Sequence, residues 1–254
     1  MRNQTILVMT ATITPPADAA LLARHQPELR RGDYEVALKH NLNALREGVF
    51  DTVIFAENSN SDVTSLQDIV KQAGLTERVT FLSFYGLDYP SEYSRGYGEF
   101  LLLDRVMASP QMRGEEPNCV VWKVTGRYRV KNIAQLVQNA PRPFDFYCHC
   151  RNHPMRLVDQ YVLAWRAGAY EAHLKGLYKH FTASEAKKSS EQIMRDLLDI
   201  GHLRGMKVIP RFSHPPVIEG VRGWDGQEYS SGIKNRGKLL ARRIANRTLP
   251  SLWI

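Results

Sequence analysis

Lys123, Thr125, Gly126, Arg127, Arg129 and Lys131 crowd together at the end of an apolar run, Cys119-Val120-Val121-Trp122. Lysine and arginine supply fixed positive charge, threonine a hydroxyl, and glycine lets a ligand come close to backbone. That combination suits an anion, above all a diphosphate. Related clusters follow two other apolar runs. Thr10-Ala11-Thr12-Ile13-Thr14-Pro15-Pro16 comes after Thr5–Met9, and Glu57-Asn58-Ser59-Asn60-Ser61-Asp62 comes after Asp51–Ala56. Thr10, Thr12, Asn58 and Ser59 are therefore candidate ligands for the phosphate, ribose or base of a nucleotide. Arg95-Gly96-Tyr97-Gly98-Glu99 leads into a helix. There Gly96 and Gly98 allow close approach, the dipole favours anions, and Arg95 adds charge. This Gly-x-Gly has no third glycine and follows a loop, so it is not a dinucleotide fingerprint. Glu99 is stabilised by the helix N-terminus whatever else it does.

These clusters need a frame that gathers them. Strand-like runs at Thr5–Met9, Asp51–Ala56 and Val79–Phe84 alternate with helical patterns at Tyr34–Glu47 and Ser65–Ala73. Gly48 stands where a C-cap belongs, and Ser61 or Asp62 caps the second helix. After a tyrosine-rich loop come a helix at Phe100–Ser109, the central strand Cys119–Trp122 and a short helix at Ile133–Asn139. Such alternation predicts a parallel sheet with right-handed crossovers, and ligands then sit beyond the carboxyl ends of its strands. Phe144–Cys150 reads as a further strand. Cys148 and Cys150 share one face of it and His149 the other, a spacing that matches no zinc pattern, so no metal is expected. Leu157–His180 and Glu191–His202 read as helices, and Met206–Ile209 as a strand. Gly220–Gly232 has the composition of an active-site lid. His214 and Trp224 are the candidates on the acceptor side. The expected fold is α/β, a Rossmann-like, mostly parallel sheet flanked by helices, with a helical C-terminal part. One domain spans 1–254, with 1–150 as the donor-binding half and 151–254 as the acceptor-side half.

The 254 residues carry a formal net charge of +8, which favours anionic partners. Cys119, Cys148 and Cys150 are too few for a disulfide framework, which fits a reducing cytosol. The run Ile6–Met9 is too short for a signal segment or a membrane span. The expected location is cytoplasmic, with membrane contact limited to the periphery of the inner face. Ile233–Arg247 carries Lys234, Arg236, Lys238, Arg242, Arg243 and Arg247 without an acidic residue. It is either a solvated helix or a segment drawn to anionic lipid or a lipid diphosphate. A non-catalytic nucleic-acid or polyanion binder fits the charge. Against it, aromatic residues do not interleave with the basic ones as in a stacking platform, and no recognition motif is present. A nucleotidyltransferase is a further nucleotide-dependent alternative.

The order of parts is that of a GT-A type glycosyltransferase. Thr10-Ala11-Thr12-Ile13-Thr14-Pro15, Arg31-x-Asp33-Tyr34, Phe55-x-Glu57-Asn58-Ser59, Arg95-Gly96-Tyr97-Gly98-Glu99 and Lys123-x-Thr125-Gly126-Arg127-Tyr128 together resemble a bacterial family. Its members accompany genes for capsule and O-antigen polysaccharides and are regarded as glycosyltransferases. The match covers most of the chain and is densest between Thr10 and Asn132. The resemblance implies transfer of a sugar from an activated diphosphate donor, a nucleotide sugar or phosphoribosyl diphosphate. The implied acceptor is a glycan or a polyprenyl-diphosphate-linked chain. The chain departs from GT-A enzymes in having no Asp-x-Asp to hold a divalent metal. Lys123 and Arg127 stand in its place, with Arg95 near, so metal-independent transfer without a cofactor is expected. The base that an inverting reaction requires is one of Glu57, Asp62, Glu99, Asp145 and Glu191.

Overall fold

A computed structural model describes residues 3–16, 23–113, 117–182, 187–199, 205–223, 225–229 and 237. The first half follows the alternation read from the sequence. β1 (Thr5–Ala11), α1 (Pro27–Arg46), β2 (Thr52–Glu57), α2 (Thr64–Gln72) and β3 (Val79–Ser83) lead to α3 (Arg95–Met107) and the four-residue α4 (Pro110–Arg113). Next come β4 (Val120–Thr125), β5 (Arg129–Val130), α5 (Ile133–Gln138) and β6 (Phe146–Arg151). Then follow β7 (Leu157–Arg166), a helical turn α6 (Ala167–Ala169), α7 (Ser190–Asp199), β8 (Val208–Ile209) and β9 (Ile218–Glu219).

Seven strands form one sheet in the order β3-β2-β1-β4-β7-β6-β8, and β5 pairs with β9 in a separate two-stranded ribbon. β1 pairs in parallel with β2 and β4, β2 with β3, and β6 with β8. β7 is antiparallel to both of its neighbours, β4 and β6. The sheet is thus mostly parallel, and it draws strands from both sides of residue 150.

Both faces of the sheet are covered, which is why its strands read as near-continuous apolar runs. On one face Leu7, Met9, Phe55, Trp122 and Val124 meet Tyr34, Leu38 and Leu42 of α1, Leu66 and Val70 of α2, and Leu136 of α5. On the other Ile6, Val8, Ile54, Val121 and Leu163 meet Phe100, Leu103 and Val106 of α3 and Met194 and Leu197 of α7. Cys148 and Cys150 lie together on this second face, while the ring of His149 stacks on Phe212 of the other.

The helix expected over Leu157–His180 is not formed. Its first ten residues are the strand β7, wedged into the middle of the sheet. The spacing of Val158, Tyr161, Val162 and Trp165 also fits a helix, but a helix would have left Asp159 and Gln160 on a polar face. Here both are buried and satisfied. Asp159 accepts a hydrogen bond from Tyr161 at 2.7 Å and pairs with Arg151 at 2.5 Å, and Gln160 bonds Ser190. The helices that do follow start and stop for local reasons. Gly48 takes φ +71° just after α1. Asp62 accepts the Thr64 N–H at 2.9 Å at the head of α2. Ser189 and Gln192 form a reciprocal capping box on α7, with bonds of 3.3 and 3.0 Å.

Candidate active site

Chain direction reverses between β1 and β4. From β1 the chain steps outward to β2 and β3, then α3 carries it back to β4 on the other side of β1. The carboxyl ends of β1 and β4 therefore flank the switch point where open α/β sheets bind ligands. A cleft of about 720 Å³ opens there. Thr10, Thr12, Arg30 and Tyr34 line it from the β1 side, and Asn58 from the end of β2. Thr125, Arg127 and Tyr128 come from the end of β4, and Arg95, Gly96, Gly98 and Glu99 from the first turns of α3. Leu157, Gln160 and Tyr161 of β7, Ser190 and Glu191 of α7, and Tyr229 close the far side.

The loop after β1 is held by α1 and by Glu57. Arg30 Nε donates to the Thr12 carbonyl at 2.7 Å, and the Thr12 N–H donates to the Tyr34 hydroxyl at 2.9 Å. Thr12 Oγ1 donates to Asn58 Oδ1 at 2.6 Å, tying the ends of β1 and β2 together. Arg30 also donates to the Arg24 carbonyl and the Tyr34 hydroxyl, and no carboxylate of the described residues pairs with it. Glu57 is fully buried beneath the loop. Its carboxylate accepts the N–H groups of Ile13, Ser59 and Ser61 at 2.9–3.0 Å, and Ser59 Oγ as well.

The floor is an ion pair. Lys123 Nζ lies 2.5 Å from Glu99 Oε1, and it also donates to Thr125 Oγ1 at 3.1 Å and to the Gln160 carbonyl at 2.5 Å. Thr10 Oγ1 donates to the same Glu99 oxygen at 2.8 Å. Lys123 has no exposed surface. Desolvation lowers its pKa from the usual lysine value, against the raising effect of the Glu99 charge. Taking an ammonium out of water costs several kcal/mol, so this site exists only because Glu99 and two further oxygens receive it. Gly126 completes the corner. Its N–H donates to the Thr10 carbonyl at 2.8 Å, and a Cβ there would stand 2.7 Å from that oxygen.

The sequence-derived candidates thus divide. Thr10, Thr12, Asn58, Arg95, Gly96, Gly98, Glu99, Thr125 and Arg127 converge on the cleft. Lys123 lies beneath its floor with its charge directed to Glu99, not in position to face a leaving diphosphate as the sequence suggested. Ser59 and Glu57 are engaged in the loop, and Gly126 in the strand-end contact. Gly96 and Gly98 begin α3 from within. Their missing side chains leave room for Ser190, 2.4 Å from a built Cβ, and for the Tyr89 hydroxyl, 2.1 Å away. Asp62 accepts from Thr64 in the turn before α2, whose N-cap is Val63, and Asp145 sits at the opposite end of the strands, bonded to Arg166 and to the Lys207 N–H. Glu99 and Glu191 are the two candidate bases that line the cleft. His214 is not among the lining residues and lies 3.3 Å from Ser213 Oγ. Trp224 falls outside the described residues, as does the basic stretch 233–247 apart from Gly237. Gly220–Gly223, read as part of a lid, packs on the β4–β5 corner. Arg127 donates to the Val221 carbonyl and to the Tyr128 hydroxyl, both at 2.8 Å, and a Cβ on Gly223 would meet the Arg127 guanidinium.

Sequence reasoning missed Arg30, Gln160 and Tyr229. Arg30 and Tyr34 are one helical turn apart on α1, a spacing that signals a shared face, but nothing local says that this face meets Thr12.

Among the described residues no three His, Cys, Asp or Glu side chains gather where they would hold a metal ion. Glu99 is a single carboxylate, and Lys123 occupies one of its oxygens. No helix of the described residues is long and apolar enough to cross a membrane. Comparison with known families and with curated proteins returns no match. Among solved structures, a candidate nucleotide-diphospho-sugar transferase of Desulfovibrio desulfuricans G20 superposes with a TM-score of 0.46 at 11% identity, over 82% of this chain and 80% of that one. A 4-diphosphocytidyl-2C-methyl-D-erythritol synthase gives 0.42 at 8% identity, over 94% and 98%. Mouse xyloside xylosyltransferase 1 gives 0.41 at 10% identity, over 82% and 84%.

Proposed function

We propose that the chain is a glycosyltransferase that moves a sugar from an activated diphosphate donor, a nucleotide sugar or phosphoribosyl diphosphate, to a glycan or lipid-linked acceptor. The observation that carries this reading is the cleft at the switch point, where Arg30, Arg95 and Arg127 flank strand ends rich in hydroxyls and amides. The nucleoside lies over the β1 and β2 ends, against Thr12 and Asn58. The diphosphate faces the arginines, whose fork geometry suits phosphate oxygens and whose charge offsets that of the leaving group as the glycosidic bond breaks. The acceptor enters from the β7 and α7 side, where Glu191 is the candidate base. Lys123 on Glu99, and no third metal-ligating side chain gathered with it among the described residues, favour a metal-independent reaction. The family resemblance points to surface polysaccharide as the setting, with the basic stretch 233–247 as a peripheral membrane contact.

A thermal-shift screen tests this reading, because a ligand that binds only the native state raises the melting temperature. Nucleoside diphosphates, nucleotide sugars and phosphoribosyl diphosphate are each offered with chelator and with magnesium. The expected result is a shift from one donor class that chelator leaves intact and Arg127→Ala reduces. A shift that needs magnesium removes the metal-free part. No shift from any donor, together with salt-steep oligonucleotide binding, replaces the transferase by a polyanion binder.

A further inference from the structure

The ion pair in the cleft floor is lopsided. Lys123 is wholly buried, whereas the Glu99 side chain is 22% exposed and lines the cleft. Among the described residues, the hydroxyl and ammonium contacts to this carboxylate are to one oxygen. Oε1 receives Lys123 Nζ at 2.5 Å, Thr10 Oγ1 at 2.8 Å and, more distantly, Thr125 Oγ1 at 3.5 Å. No hydroxyl or backbone N–H of the described residues donates to Oε2. A carboxylate offers about four lone-pair sites over its two oxygens, and only those on one are in use. A glutamate needed solely to neutralise Lys123 could be buried with it. Here three donors fasten Oε1, and the side chain that carries the other oxygen is partly exposed in the cleft lining.

We propose that Glu99 is the group that reads ring hydroxyls in the cleft, with Oε2 accepting a hydrogen bond from a hydroxyl of a bound ribose or sugar ring. The ligand class is a polyol ring. A phosphate would be repelled by this oxygen and belongs with the arginines. Lys123 and Thr10 are positioning residues that fix the carboxylate and keep it from swinging aside. The inference rests on the transferase reading only for the carrier of the ring, because a nucleotide sugar brings two: the ribose of the nucleotide and the sugar to be transferred. A site built to bond a hydroxyl discriminates strongly against the analogue that lacks it, since the carboxylate is then left desolvated and unpaired.

Titration calorimetry in chelator separates the two sources. One arm compares nucleoside diphosphates with their 2′-deoxy and 3′-deoxy counterparts, and the other compares nucleotide sugars with analogues deoxygenated at single positions of the sugar. The expected result is a loss of about ten- to a hundredfold in affinity for one missing hydroxyl, and the arm in which it occurs names the ring. Glu99→Gln should bring that discrimination below about threefold. Because this change leaves Lys123 without a counter-charge, Glu99→Gln/Lys123→Met removes both charges, and each variant is checked by its melting temperature. Full discrimination in either folded variant, or equal binding of hydroxyl and deoxy ligands by the wild type, overturns the assignment and leaves the transferase reading standing. Failure of every nucleotide and nucleotide sugar to bind the wild type overturns both.

Discussion

Glu57, at the end of β2, and Glu99, in the first turns of α3, both act at the carboxyl ends of the strands and serve opposite purposes. Glu57 is completely buried, and its carboxylate satisfies three backbone N–H groups that the loops after β1 and β2 leave over. Buried backbone donors must find acceptors, so this glutamate builds the wall of the cleft. Glu99 receives one ammonium and two hydroxyls on a single oxygen, and its partly exposed side chain lines the cleft. The difference shows how one residue type is turned to construction or to presentation. Backbone donors arriving from several directions consume a carboxylate, while side-chain donors arriving from one direction orient it.

The largest expected effect breaks the presenting side. Glu99→Ala leaves Lys123 without its counter-charge beneath the cleft, at a cost of about 3 kcal/mol. For a chain of this size that lowers Tm by roughly 6–12 °C in a calorimetric or fluorescence melt. Lys123→Met should cost clearly less, because Glu99 can reach water. Equal losses would mean that the two residues are buried alike, against the wholly buried Lys123 and the partly exposed Glu99.

Next in size is the constructing side. Glu57→Gln removes the charge and one acceptor oxygen from beneath the loop, for about 1–3 kcal/mol. Amide exchange at Ile13, Ser59 and Ser61 should quicken, while the hydroxyl discrimination assigned to Glu99 stays as it was. Loss of that discrimination would show that the two carboxylates are coupled.

Smaller again is a test of the joint between α3 and α7. Gly96→Ala drives a methyl against Ser190, which must move with the start of α7, at about 1–3 kcal/mol. Adding Ser190→Gly should restore part of the lost Tm, and no recovery would place the strain elsewhere.

The smallest effect is in pH. Burial lowers the pKa of His40 from the usual histidine value, although its bond to the Val130 carbonyl and the charge of Glu219 pull the other way. The unfolded chain takes up this proton near pH 6.5, and the folded chain only at a lower pH. The unfolded state therefore binds more protons just below 6.5, and stability falls as pH drops through that window. His40→Asn should flatten the slope of Tm against pH between about 6.5 and 5. An unchanged slope would assign it to other groups.

Much of the first 150 residues was legible because the rules there are local. Apolar runs such as Thr5–Met9 and Asp51–Ala56, each followed by hydroxyls and amides, mark parallel strands and their carboxyl ends without knowledge of partners. The rest of the chain was not, and β7 shows why. Val158, Tyr161, Val162 and Trp165 fit helical and extended spacing alike, and what decides is Arg151 and Ser190 meeting Asp159 and Gln160. The place of Lys123 was hidden for a similar reason. A lysine at a strand end reads as a ligand for anions, and only the packing of α3 brings Glu99 above it. Gly96 and Gly98 read as room for a ligand, but that room is filled by Ser190 and Tyr89.

In the proposed transferase the arginine-lined cleft holds a nucleoside diphosphate without a metal. The most direct measurement is a calorimetric titration of nucleoside diphosphates, in chelator, into the wild type, Arg95→Ala and Arg127→Ala. Saturable binding of one nucleotide to the wild type, weakened at least tenfold in each folded variant, is the predicted result. Binding that appears only with a divalent ion, or that both variants retain in full, would contradict it.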